Sequence, residues 1–274
     1  MIFPAFALLA LFSPAFFSIV PPQPSNTLLD KGYEDMYNLA FSDAHRCFQQ
    51  WQQEHPNDPM GPVSDAAAYL FAEFDRLHIL QSQFFVNDHA YFNRHSESAD
   101  PAVKAKFQAD LNKTEQLANA TLKQSPKDKH ALLAKVLMLG LDSDYKSLIE
   151  KQNIAALEEI KSGTAVAQKL LQDHPHCYDA HLASGIQNYL LSLKPAPVRW
   201  ILRISGAQTD KETGLANLKI VAEKGRYLKP YANLLLAVAA LRDKNTGMAK
   251  RILSDLAEHF PGNNLYREEL KKLG

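Results

Sequence analysis

After residue 25 the apolar positions recur at three- and four-residue spacing, and few segments alternate with period two. That is the pattern of amphipathic helices rather than strands. The segment 63–80 shows it well: Val63, Ala67, Leu70, Phe71, Phe74, Leu77 and Leu80 fall at helical intervals. Start and stop signals divide the pattern into elements. Ser42 is placed to cap a helix through AHRCFQQWQQEH, with Pro56 beyond its end. Asp100 before Pro101 pairs a capping carboxylate with proline at the first helical position, and predicts a helix to about Gln124. Asp128 caps the next, with Leu132, Val136 and Leu139 on its face; Asn153 opens another that ends near Asp173; Gly225 closes a helix through LANLKIVAEK.

The helices carry an internal repetition. Ala44, Phe48 and Pro56 stand four and eight residues apart, as do Ala249, Leu253 and Pro261, and Gly163, Ala167 and Pro175; Thr114, Ala118 and Pro126 keep the spacing with a larger first residue. A small residue lets two helices approach, an apolar residue one turn on fills the groove between them, and proline ends the helix. Gly32 and Ala237 stand twelve residues before Ala44 and Ala249, where the first helix of each pair must also be thin. On these residues the chain resembles tetratricopeptide-repeat proteins of a divergent, exported bacterial type. The resemblance covers most of residues 25–274 and implies an all-α fold, antiparallel helix pairs stacked as an α-solenoid. One departure follows Gly185: the next small residue falls due near Pro197, and the second helix resumes only around Ala216.

Residues 2–20 are apolar or small, and no charged side chain precedes Asp30. Residues 1–24 therefore read as a signal peptide or N-terminal anchor plus linker, with PPQPS extended, and residues 25–274 as the repeat domain. The expected location is periplasmic or secreted, with anchoring to the membrane through residues 2–20 as the alternative. Lysine plus arginine equal aspartate plus glutamate at 30 each. A net charge of zero offers no field to attract nucleic acid. The two cysteines, Cys47 and Cys177, form no C-x-x-C pair.

Catalytic signatures are sparse. His174, His176, Cys177 and His181 carry metal-ligand chemistry, but they cluster at a turn without a second ligand pair, so the reading is a polar helix end and no metal or cofactor. Asp142 and Asp144 read as a solvated turn or helix face. The segment SLKPAPVRWILRISGAQTD sets Trp200 beside Arg199 and Arg203, four apart on one helix face, and reads either as a docking surface or as a plug between repeats.

In the family, the second, fifth, ninth and twelfth repeat positions usually face the inner groove. Here these are Asn26, Leu29, Tyr33 and Met36; Asp179, Leu182, Ile186 and Tyr189; and Tyr231, Leu234, Val238 and Leu241. The expected function is a non-catalytic scaffold of the cell envelope that binds a peptide or protein partner through the concave face. Its candidate contacts are Tyr33, Met36, Asp179, Tyr189, Trp200, Arg203 and Tyr231. A metal-dependent enzyme centred on His174–His181, a motif-less helical enzyme and a structural homo-oligomer are the alternatives.

Overall fold

The computed structural model describes residues 27–79, 98–193 and 209–274, and among these every regular element is a helix. Residues 1–26, with the expected signal peptide or anchor, and Leu80, Trp200 and Arg203 lie outside the described residues. The α-helices are α1 (Leu28–Tyr37), α2 (Phe41–Glu54), α3 (Met60–Arg76), α4 (Pro101–Gln124), α5 (Lys129–Asp144), α6 (Asn153–Asp173), α7 (His181–Ser192), α8 (Lys211–Lys224), α9 (Lys229–Arg242), α10 (Thr246–His259) and α11 (Asn264–Lys272). A π-helical turn, Tyr145–Ile149, follows α5, and a 3₁₀ turn, Tyr178–Ala180, precedes α7. No helix among the described residues is long and apolar enough to cross a membrane.

Several boundaries follow from local chemistry. Asp100 accepts the backbone N–H groups of Ala102 and Val103, and Asp128 accepts that of Ala131, so both helices begin where a carboxylate satisfies orphan donors. Thr27 and Asp30 cap α1 reciprocally. Ser42 is a correction: α2 begins at Phe41, with Ala40 at the cap position and no side-chain hydrogen bond there. The turn is made by Leu39, with φ of 62°, and by the Ala40 N–H donating to the Asp35 carbonyl. Gly225 ends α8, but at φ of −60° rather than in the left-handed region. Glycine is needed there for space, since a Cβ would lie 2.6 Å from the Val221 carbonyl and 2.9 Å from Asp179 Oδ1.

Adjacent helices pack as pairs: α1 with α2, α3 with α4, α5 with α6, α7 with α8, and α9 with α10. Small residues mark several crossings. A Cβ on Gly32 would stand 2.3 Å from the Phe48 ring. Ala44, Phe48, Ala118, Ala167, Ala237, Ala249 and Leu253 are all buried. In the pair interrupted after Gly185 the register differs from the sequence expectation. Ala216 is exposed, while Gly214 meets the Tyr189 backbone and Gly185 meets Leu218. The helix starts earlier than the spacing suggests, because Asp210 caps it through the Thr213 N–H.

The two ends of the described chain meet. Arg226 forks onto Asp30 with two 2.7 Å bonds. Burial works against ionisation of Asp30, but hydrogen bonds from Arg226 and Thr27 outweigh it and hold the carboxyl below its usual range. Tyr37 donates its hydroxyl to the Tyr227 carbonyl, and Asn263 donates to the Tyr37 carbonyl at 2.9 Å. With Tyr37 also against Phe260, α1 is held between α3 and the C-terminal helices.

Candidate functional site: an interior apolar cavity with one carboxyl

The first helix of each pair points toward a common interior. Tyr33, Met36 and Tyr37 of α1, Ala67 and Phe71 of α3, five residues of α5, Leu182, Ala183 and Ile186 of α7, and Tyr231 of α9 line one cavity. About 70 Å³ of it is open to the centres of water molecules. Its walls are almost wholly apolar. Gly140 is exposed where it joins the lining, so α5 presents its thinnest point at the rim. A smaller space of about 40 Å³ shares Val136, Gly140, Asp144, Ala183 and Ile186 with the first and reaches Glu159, Ile160 and Gly163 of α6.

Asp144 belongs to both spaces. It follows Val136 and Gly140 at four-residue steps, which puts the three on one face of α5. The Tyr231 hydroxyl donates to Asp144 Oδ2 at 3.3 Å. Among the described residues no basic side chain pairs with this carboxylate, although Lys146 close by bonds Asp142 at 2.8 Å and Glu159 at 2.7 Å. Burial in an apolar wall pushes the Asp144 carboxyl up to about 7, against a smaller opposing effect of the Tyr231 hydrogen bond. Asp144 is half-buried, so its sequence reading as a solvated carboxylate is corrected to a carboxyl partly withdrawn into the cavity wall.

The other candidates separate into groups. Tyr33, Met36, Leu182, Ile186 and Tyr231 come together on the cavity. Tyr33 also accepts a hydrogen bond from Ser64 and packs its ring against Tyr227 at 4.9 Å. Asp179 uses its carboxylate inside the fold, where it accepts the N–H groups of Arg226, Tyr227 and Leu228 at 3.0–3.2 Å and clamps the turn before α9. Tyr189 is buried at the α7–α8 crossing. The histidines of the 174–181 segment diverge: His174 bonds the Lys127 carbonyl, His176 the Tyr178 hydroxyl, and His181 the Asn217 side chain. Cys47 and Cys177 are free and buried.

A second polar cluster lies on α2–α4. His45 pairs with Asp65 and packs on the Tyr69 ring, and the Asp110 carboxyl is pushed up to about 7 by burial and by the charge of Asp65. Among the described residues no group of three or more histidine, cysteine, aspartate or glutamate side chains is placed to hold a metal ion. No protein-family model matches the chain, and no curated protein matches it.

Proposed function

We propose that this chain is a non-catalytic binding scaffold with a tetratricopeptide-like arrangement, which takes up part of a peptide or protein partner through the inner face of its helix pairs. The carrying observation is that the first helices of five successive pairs, α1, α3, α5, α7 and α9, all contribute to one apolar cavity. Packing each helix only against its neighbours requires no shared space, and the common cavity supports a binding role for the inner face. The volume suits one inserted side chain, the kind of anchor that dominates binding at protein interfaces. The apolar leader supports a place in the cell envelope, outside the cytoplasm.

The test is affinity capture from envelope extracts with the full chain and two variants of the rim residue. A Cβ on Gly140 meets nothing within 4 Å, so Gly140→Ala leaves room and Gly140→Phe introduces a ring at the cavity. A partner retained by wild type and Gly140→Ala but lost from folded Gly140→Phe supports the reading. Capture indifferent to Gly140→Phe contradicts it. A stable dimer in light scattering with no captured partner favours the homo-oligomer instead.

A further inference from the structure

Resting on the binding role above, we propose that the group received by the cavity is the butylammonium side chain of a partner lysine, with its methylenes against the apolar walls and its ammonium on Asp144. Three observations lead there. First, the cavity is apolar apart from Asp144 and tyrosine hydroxyls, so the occupant is largely hydrocarbon. Second, Asp144 is half-buried in that apolar wall with a tyrosine hydroxyl as its bonding partner, and no basic side chain pairs with it among the described residues. An ammonium supplies it. Third, with about 70 Å³ open to water centres, the cavity has room for a chain of several heavy atoms rather than a single water. A lysine side chain has four methylenes and one nitrogen. A guanidinium fork engages both oxygens of a carboxylate at once, whereas an ammonium needs one, and Asp144 Oδ2 already accepts from Tyr231.

The charged groups around Asp144 allow this assignment. Tyr231 faces it from α9, and Tyr33 and Tyr37 share the cavity from α1. Glu159 approaches from α6 through the smaller space, but is bonded to Lys146, which also holds Asp142. An ammonium at Asp144 therefore meets acceptors rather than a competing cation from these elements.

The experiment is calorimetric titration of the full chain with n-butylammonium, with n-butanol, and with a short capped alanine peptide carrying one lysine or one Nε-acetyl-lysine. The expected result is that n-butylammonium binds at least tenfold more tightly than n-butanol. The lysine peptide should bind and its acetylated form should not. Asp144→Asn, checked for folding by circular dichroism, should abolish the preference for the charged ligand. Affinity for n-butylammonium should rise from pH 6 to pH 8 as Asp144 ionises while the amine stays protonated. Equal binding of n-butanol, or a preference that survives Asp144→Asn, would overturn the proposal. So would binding of the free amine without the lysine peptide, which would assign the site to a small soluble amine. Partner capture separates the two levels. A partner lost with Gly140→Phe but kept with Asp144→Asn leaves the scaffold role standing and removes the lysine. Lysine-peptide binding with no captured partner leaves the lysine site standing and removes the scaffold role.

Discussion

Gly32 and Gly140 sit in helices of the same kind for opposite reasons. At Gly32 a Cβ would overlap the Phe48 ring, and at Gly140 it would meet open space. Gly32→Ala should therefore destabilise by about 1–3 kcal/mol, as overpacked cores do. Gly140→Ala should stabilise by about 0.5–1 kcal/mol, the ordinary helix preference for alanine. Denaturant unfolding of the two variants reads both signs, and equal effects would mean that the α1–α2 crossing is not where we place it. Asp144 gives a pH signature at the same scale. Its folded value is raised to about 7 from the ordinary 3.8, so between these values the native state holds a proton that the unfolded chain has lost. Stability from this residue is present below about pH 4 and is lost as pH rises through 7. Asp144→Asn should thus gain stability relative to wild type between pH 5 and pH 8, by on the order of 1–3 kcal/mol at the upper end. A constant difference across that range would show that the carboxyl is solvated.

Among the elements, the turn between α8 and α9 depends on a single distant side chain. Asp179 accepts three successive N–H groups there, from residues 47 to 49 positions away. Asp179→Ala orphans them in a buried setting and should cost about 1.5–3 kcal/mol in thermal or denaturant unfolding. An effect under about 0.5 kcal/mol would make the clamp incidental. This turn also shows what the sequence can and cannot convey. Helix starts at Asp100 and Asp128 were legible because cap and helix lie within three residues of each other. The burial of Ala44, Phe48 and Ala249 and the approach of Gly32 to Phe48 were legible because their spacing follows the helical period. Asp179 reads as an inner-face position, since nothing nearby shows that its partners are residues 226–228. Ser42 failed because the preceding turn, with left-handed Leu39, sets the start of α2. Gly214 rather than Ala216 marks the α7–α8 crossing because the interruption after Gly185 breaks the period from which the register was counted. Asp144 reads as solvated because it ends the helix beside Asp142, and its bond to Tyr231 spans 87 residues and has no sequence signature.

For the whole molecule, the meeting of α1 with the C-terminal helices turns a row of helix pairs into an enclosure. The Asp30–Arg226 fork and the bonds of Tyr37 with Tyr227 and Asn263 join distant parts of the chain. As a result Tyr33, Met36 and Tyr231 are buried around a cavity instead of standing on an open concave surface. Among the described residues, Gly140 is the exposed residue of α5 in the cavity wall, so the proposed partner would insert a group there. The most direct measurement is a methyl-labelled NMR titration of the full chain with the partner segment that affinity capture identifies. The account predicts that shifts concentrate on Met36, Leu182 and Ile186 and leave Ile154, 81% exposed on α6, unmoved. Shifts confined to Ile154 and other outward methyls, with the three cavity methyls unchanged, would contradict it.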